Sequence, residues 1–270
     1  MTNSRGKHLF DCWDRLKGNL ANKNILLLLD YDGTLTPIVE TPDQAVLSQE
    51  VKEILVKLSK VYSCHLVIVT GRALPNIKKM VGIKGITYTG NHGFEIEGSD
   101  IHFESPVAPR YKELLYRIKA DLEKRLSPIE GVWLEDKRIT LSLHYRRVDE
   151  KNIKLLEKIF TSVCRPHIKD KEIEIQSGKK VFEIKPPIAW DKGQAALWLL
   201  AKWENLWGKD NLVSMYIGDD IADEEAFKLL KDKSLTVSVG ENARSSAIYY
   251  LKNPQEVTQL LKGILELKRA

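Results

Sequence analysis

Ile25 to Leu29 is an unbroken apolar run that stops at the turn-forming cluster Asp30-Tyr31-Asp32-Gly33. A strand exposed to water on one face alternates in polarity; a strand covered on both faces does not, and such strands belong to parallel sheets flanked by helices. The pattern repeats along the chain. Ser48 caps a predicted helix whose apolar residues Val51, Ile54, Leu55 and Leu58 recur at helical spacing. Leu66 to Val69 is the next apolar run and ends at Thr70-Gly71-Arg72, and Ile86 to Thr89 follows and ends at Gly90-Asn91-His92-Gly93. Strand, loop, helix, strand in this order predicts an α/β fold with a Rossmann-like parallel-sheet core.

The same texture returns near the C-terminus. Asp191 opens a helix with Ala196, Leu199, Leu200, Trp203 and Trp207 on its inward stripe; Val213 to Ile217 then runs into Gly218-Asp219-Asp220. A helix through Ala226, Leu229 and Leu230 leads to the strand Leu235 to Val239, closed by Gly240. Helical spacing makes the tryptophans core residues rather than a ligand platform. Between the halves, a charged helix over Arg110 to Leu126 precedes alternating strands at Val132 to Glu135 and Thr140 to Tyr145. A helix over Glu150 to Val163 and two strand-like runs flanking Ser177-Gly178 complete an α-β-β-α-β-β order. That order favours an antiparallel sheet with helices on one face. The expected organisation is a core of residues 1–106 and 186–270 carrying an inserted α+β domain at 107–185. Residues 9–20 form a further expected helix.

Composition removes several classes of function. The 42 basic and 37 acidic residues are scattered, and clusters such as Lys78-Lys79 and Arg146-Arg147 are too short for a nucleic-acid stripe. The longest apolar run, Ala195 to Ala201, falls far short of the ~20 residues of a membrane span. Met1 to His8 is polar and Cys12, Cys64 and Cys164 match neither a zinc pattern nor a disulfide framework, so a cytoplasmic location with free thiols is expected.

The chemistry gathers at strand ends, where open α/β sheets bind their ligands. Asp30 and Asp32 stand one residue apart directly after a buried strand, so that one carboxylate can attack an electrophile while the other moves a proton. Thr70 brings a hydroxyl. Lys192 places a cation at a helix start, where the helix dipole disfavours it unless an anion faces it. Asp219, Asp220 and Asp223 crowd negative charge that a hard cation would relieve.

In this order, Asp-x-Asp-Gly-Thr, a hydroxyl, a lysine and a paired-aspartate loop resemble the signature of the haloacid-dehalogenase-like phosphotransferases, and the insertion lies where that superfamily places its larger cap. The wording of Asp30 to Ile38, Thr70-Gly71-Arg72, Gly90-Asn91-His92-Gly93, His144-Tyr145-Arg146, Gly178 to Ile184, Asp191-Lys192-Gly193 and Gly218-Asp219-Asp220 is similar to that of the trehalose-6-phosphate phosphatases. Thr70 stands where that family commonly has Ser, and Ala222 where Thr is usual.

The resemblance implies a Mg²⁺-dependent hydrolysis of trehalose 6-phosphate, the last step of trehalose biosynthesis, with Asp30 as nucleophile and Asp32 as acid and base. It implies Mg²⁺ on the carboxylates of Asp30 and Asp219 and the main-chain carbonyl of Asp32, with Asp220 and Asp223 in the outer shell. Thr70 and Lys192 would hold the phosphoryl oxygens. Gly71, Arg72, Asn91, His92, Arg146, Lys179 and Glu183 are the implied substrate contacts, with Lys179 and Glu183 on one face of a strand. A trehalose-6-phosphate synthase is the partner the resemblance brings with it. Three other readings stay open: a phosphatase of sucrose phosphate or a glucosyl-glycerol phosphate, a phosphomutase, and a non-catalytic subunit regulating a trehalose synthase complex.

Overall fold

The computed structural model describes residues 6–105, 109–240 and 244–269. It divides into two compact units, Met1–Glu104 with Trp190–Ala270, and Ser105–Ala189. The first expected domain boundary, between 106 and 107, lies outside the described residues.

In chain order the first unit comprises β1 (Lys7–His8), α1 (Trp13–Asn22), β2 (Asn24–Asp30), α2 (Gln49–Leu58), β3 (Cys64–Val69), α3 (Leu74–Val81), β4 (Thr87–Gly90), β5 (Glu95–Gly98) and β6 (Ile101–Glu104). The second unit contributes α4 (Pro109–Leu126), β7 (Trp133–Asp136), β8 (Leu141–His144), α5 (Glu150–Lys169), β9 (Glu174–Gly178) and β10 (Val181–Lys185). The chain returns to the first unit with α6 (Lys192–Trp207), β11 (Leu212–Gly218), α7 (Ile221–Leu230), β12 (Leu235–Val239), β13 (Tyr249–Leu251) and α8 (Pro254–Leu267).

The first sheet has the order β1-β13-β12-β11-β2-β3-β4-β5-β6, parallel from β1 to β4 and antiparallel beyond. Its central strand explains the unbroken apolar run. Ile25, Leu27 and Leu29 pack with α1, α2, α3 and α8, while Leu26 and Leu28 pack with α6 and α7 on the opposite face. Sites that carry polar chemistry follow from this arrangement: β11, β2, β3 and β4 are neighbours and parallel, so their carboxyl ends share one edge.

Local signals decide where the helices begin. The Ser48 hydroxyl accepts from the Val51 amide and the Asp191 carboxylate from the Gln194 amide. Asp220 and Asp223 close a capping box at the start of α7. Along α6 the buried apolar side chains are Ala195, Ala196, Leu199 and Leu200, while Trp203 is half-buried against His65 and Trp207. The inward stripe of α7 uses Ala226, Phe227 and Leu230; Leu229, expected to face inward, is exposed. The expected N-terminal helix starts as a 3-10 turn over Leu9–Cys12 before α1.

The second unit is the expected α-β-β-α-β-β element order, with an antiparallel sheet β7-β8-β10-β9. Leu141, Leu143 and Ile184 point with Leu115, Ile118, Phe160 and Val163 into a core of its own. One sequence expectation is corrected here. The hairpin reverses at Lys179-Lys180, with Val181 paired to Gly178 and Lys180 left-handed at φ 64°, so Ser177-Gly178 remains in the strand.

His65 of β3 gives the first unit a pH-sensitive contact. Its Nε2 lies 2.8 Å from the Thr87 hydroxyl and its ring 4.0 Å from that of Trp203. Burial lowers its pKa to about 4. An imidazole held neutral in the fold binds fewer protons than the unfolded one, so stability is full above pH 6.5 and is lost as the pH falls toward 4. The full effect of that shift is roughly 3 kcal/mol. Urea unfolding at pH 7.5 and 4.5 should show His65→Leu losing less stability on acidification than the wild type by an amount of this order.

Candidate active site

β2 delivers Asp30 as its last residue, 3% exposed and flanked by the apolar strand behind it. A carboxylate so buried needs a partner, and α6 supplies it. Lys192 Nζ donates to Asp30 Oδ1 at 2.8 Å and to Asp223 Oδ1 at 3.0 Å, with Asp220 Oδ1 at 3.7 Å. Lys192 is itself 2% exposed, and the anions around it hold its ammonium well above the usual lysine range against the effect of burial. Burial pushes the Asp30 carboxyl well above the usual range in spite of Lys192, and the charges of Asp223, Asp220 and Asp219 add to the rise.

Asp223 is saturated. Its Oδ1 accepts from Lys192 and from the Tyr216 hydroxyl at 2.8 Å; its Oδ2 accepts from the Asp219 and Asp220 amides at 3.0 and 3.1 Å. Burial raises its carboxyl to about 6 against the pull of Lys192. For Asp220, burial acts upward too, yet Lys192 and the hydrogen bonds with Asp223 outweigh it and hold that carboxyl at about 2. Tyr216 was not among the expected site residues. A tyrosine in the strand that leads into the acidic loop, two residues before Gly218, is the sequence signal for it.

Carboxylate oxygens of Asp30, Asp219 and Asp223 lie within 4.8 Å of one another. This all-oxygen set, with more negative charge than one lysine offsets, suits a hard divalent cation. The backbone is shaped for it: a Cβ on Gly33, at φ 86°, would lie 2.2 Å from Asp219 Oδ2. Asp223 joins the cluster geometrically, but its four accepted hydrogen bonds keep its oxygens occupied. That leaves the carboxylates of Asp30 and Asp219 as the side chains suited to a cation.

Asp32 sits in the loop after β2, 43% exposed, and Arg72 grips it from the end of β3 with Nε–Oδ2 at 2.7 Å and Nη2–Oδ1 at 2.6 Å. Arg72, expected to contact substrate, is thus turned onto a neighbouring carboxylate. Thr70, 2% exposed, accepts from the Arg72 amide through Oγ1 at 3.2 Å. Gly71 lies under the His92 ring, where a Cβ would come within 2.5 Å of Cε1. Asn91 and His92 are both left-handed, at φ 50° and 57°, a conformation costly for residues with a Cβ. It is held by Asn91 N to Arg72 O at 2.8 Å, His92 N to Thr70 O at 3.0 Å, and Trp190 Nε1 to Gly93 O at 2.7 Å.

The first unit therefore brings together Asp30, Asp32, Thr70, Gly71, Arg72, Asn91, His92, Lys192, Asp219, Asp220 and Asp223. Arg146, Lys179 and Glu183 belong to the second unit. The expected pairing of Lys179 with Glu183 on one strand face is overturned, because Lys179 lies in the hairpin turn, exposed, and its carbonyl accepts from Arg146 Nη2 at 3.3 Å. Glu183 is buried and its Oε1 accepts from Lys137 Nζ at 3.0 Å, Thr140 Oγ1 at 3.0 Å and Ser142 Oγ at 3.3 Å. Lys137 went unnoticed in the sequence, where it reads as one more surface lysine.

The profile of the family described as trehalose-phosphatase matches residues 28–255. Trehalose-phosphate phosphatase B of Arabidopsis thaliana is 34% identical over 95% of this chain and 70% of its own length. A trehalose-phosphate phosphatase of Mycobacterium tuberculosis is 32% identical over 90% of this chain and 62% of its own length. Among solved structures, the C-terminal domain of the C. albicans trehalose-6-phosphate phosphatase superposes with a TM-score of 0.81 over 97% of this chain and 99% of that one, at 24% identity. That likeness shows the shared fold.

Removing Lys192 tests the electrostatics directly. Lys192→Met leaves Asp30 and Asp223 buried without their cation, a loss of about 3 kcal/mol at pH 7.5 in the presence of a chelator. A buried carboxyl with a raised pKa binds more protons folded than unfolded, so acid favours the fold. The stability difference from wild type should therefore shrink between pH 7.5 and pH 5, as read by denaturant unfolding at both values.

Proposed function

The chain belongs to the trehalose-phosphatase family, and on that premise we propose that it hydrolyses trehalose 6-phosphate to trehalose and phosphate, the last step of trehalose biosynthesis, through a phosphorylated Asp30. The observation that carries this reading is the Lys192 ammonium held 2.8 Å from a buried Asp30 at the edge shared by four parallel strands. It supplies what phosphoryl transfer asks of a protein, a fixed nucleophile and positive charge beside it.

Asp30 attacks phosphorus as the P–O bond to the sugar breaks, and Asp32 gives its proton to the departing sugar oxygen. Asp32 then takes a proton from the water that attacks the phosphoryl group on Asp30, so that phosphate leaves and both side chains return to their starting forms. The Thr70 hydroxyl, whose oxygen accepts from the Arg72 amide, has its own hydrogen to donate to a phosphoryl oxygen. Lys192 offsets the charge on the same group. Mg²⁺ would be held by the carboxylates of Asp30 and Asp219 and the main-chain carbonyl of Asp32, with Asp220 and Asp223 behind them. When bound, it neutralises charge on the nucleophile and the phosphoryl oxygens.

A phosphate is common to every sugar phosphate, so recognition of the disaccharide falls to other groups. We assign part of it to Asn91 and His92, beside Thr70 in the first unit; Arg146, Lys179 and Glu183 are the polar residues of the second unit's family-like motifs. A trehalose-6-phosphate synthase, whose product is this substrate, is the natural partner reaction.

Asp30→Asn keeps the shape of the side chain and removes its nucleophilicity. It should release no phosphate from trehalose 6-phosphate while circular dichroism and thermal unfolding show an intact fold; substantial turnover by this variant would sink the covalent route. Excess chelator should silence the wild-type protein and Mg²⁺ restore it. Ca²⁺, which takes more ligands at longer distances, should restore little. Full activity in chelator would refute the metal site. Phosphate release from a panel of sugar phosphates, read as kcat/KM, should rank trehalose 6-phosphate first.

A further inference from the structure

Arg72 stands one residue after Thr70-Gly71, between the end of β3 and the start of α3, and its position near the site makes it look like a phosphate ligand. A guanidinium has five N–H groups and no acceptor, so every polar contact it makes is a donation. Nε donates to Asp32 Oδ2 at 2.7 Å; Nη2 donates to Asp32 Oδ1 at 2.6 Å and to the Pro42 carbonyl at 2.7 Å. Nη1 reaches Asn76 Oδ1 at 3.4 Å and Met80 Sδ at 3.2 Å. Among the described residues the guanidinium thus meets five acceptors within the protein. The Tyr31 ring lies 5.4 Å from the guanidinium carbon, adding a cation–π contact that Tyr31 holds in place through its own hydroxyl bond to the Ala45 carbonyl. Arg72 is 8% exposed.

Seen from Asp32 the same contacts have a different meaning. Its side chain is 43% exposed and lies beyond the last residue of β2. Its backbone pairs in a short isolated bridge with Thr36, outside the strands of the sheet. Packing therefore does little to fix its rotamer. The parallel pair of short bonds from Arg72 does, because a fork bound to a fork has one planar arrangement. Both bonds leave the outer lone pairs of the carboxylate oxygens open to take up a proton, which the protonated oxygen can then donate.

We infer that Arg72 is a positioning residue that orients Asp32 for proton transfer, and that it is not a ligand of the substrate phosphate. The inference rests on the reading of Asp32 as acid and base given above. A group that moves a proton must lie within hydrogen-bond reach of the sugar oxygen, and a small error in placement costs rate rather than affinity. Arg72 therefore acts on kcat through Asp32. Lysine at this position keeps one positive charge but cannot make the planar two-bond grip.

The test separates binding from turnover. In an Asp30→Asn background, where no chemistry occurs, the Kd of trehalose 6-phosphate is measured by calorimetry with and without Arg72→Lys, in Mg²⁺. Turnover of Arg72→Lys is measured against the wild type on trehalose 6-phosphate and on p-nitrophenyl phosphate, whose leaving group departs without a proton. Arg72→Lys should change Kd by no more than about twofold and lower kcat on trehalose 6-phosphate by about tenfold or more. The first-turnover burst of nitrophenol should stay within about twofold of the wild type. Arg72→Gln serves as a second variant, and thermal unfolding identifies the variants that fold.

A Kd raised by about tenfold or more, with kcat unchanged, would make Arg72 a phosphate ligand and overturn the inference. Equal loss of the nitrophenol burst and of trehalose 6-phosphate turnover would overturn it as well, since Arg72 would then support the whole site. Asp32→Asn is the control for the premise: wild-type turnover of trehalose 6-phosphate by that variant would remove the proton role of Asp32 itself. If Asp32→Asn is impaired and Arg72→Lys is not, the premise stands and the inference alone fails.

Discussion

An ammonium group excluded from water lies at the centre of the candidate site, and the surrounding loops are arranged by it. Lys192 is the first residue of its helix, where the dipole favours an anion, and it is almost wholly buried. Removing a charge from water costs several kcal/mol, which only close and well-directed partners repay. Asp30 and Asp223 are those partners, at 2.8 and 3.0 Å. Because one sits at the end of β2 and the other in the first turn of α7, a single cation ties three elements together. Gly193 permits the fit: a Cβ there would meet the Ala226 amide at 3.1 Å and Leu229 Cδ1 at 2.8 Å. The start of α6 is thus pressed against α7 as well as bound to it.

From that centre the constraint passes outward through backbone amides. Asp223 fixes the Asp219 and Asp220 amides, and so fixes the loop that presents the Asp219 carboxylate. Glycines make room for these carboxylates where side chains would collide. Gly33 accommodates Asp219, and Gly218 lies so close to Asp223 that a Cβ would fall 2.3 Å from Cγ. On the other side, Trp190 binds the Gly93 carbonyl, and a Cβ on Gly93 would come 2.3 Å from that of Ala195. The left-handed Asn91 and His92 are thereby fixed between α6 and the Thr70–Arg72 loop. Strain in that short loop is sustained by hydrogen bonds on both sides of it.

How far the sequence could be read depended on which force was in charge. β2, β3, β11 and β12 were legible because burial on both faces leaves an apolar run with a polar stop. The edge strands β1 and β6 and their neighbours β13 and β5 are short, some of them mixed in polarity, as in Lys7-His8 and Glu95–Gly98, and no periodicity announces them. Asp30, Asp32, Lys192 and the Asp219–Asp223 loop were visible as polar residues at strand and helix ends. Their partners were not. Which acceptor an arginine finds depends on chain folding in space, so Arg72 read as a substrate contact and emerged as the clamp on Asp32. Glu183 shows the same limit: strand alternation was expected to put it on one face with Lys179, which lies instead in the hairpin turn. Only the three-dimensional arrangement reveals Lys137, Thr140 and Ser142 around Glu183. The turn at Lys179-Lys180 was misplaced because Ser177-Gly178 has the better turn composition.

Two carboxylates one residue apart need different surroundings if they are to do different work. Asp30 is inside the fold, fixed by a point charge that also faces two other acids. In its proposed role as nucleophile it benefits from being stripped of water, since every hydrating molecule must be displaced before it can reach phosphorus. Asp32 is outside, reachable by water, and fixed by a planar fork instead. The difference matches the sequence of events in the proposed mechanism, in which each carboxylate has its own task. The inner carboxylate has to meet one atom along one line, and the ammonium of Lys192 holds it without blocking both of its oxygens. The outer one has to meet two partners in turn, a sugar oxygen and then a water, so it needs a fixed plane and an open side. Strand burial for the first and a loop with an arginine clamp for the second provide these two conditions within three consecutive residues.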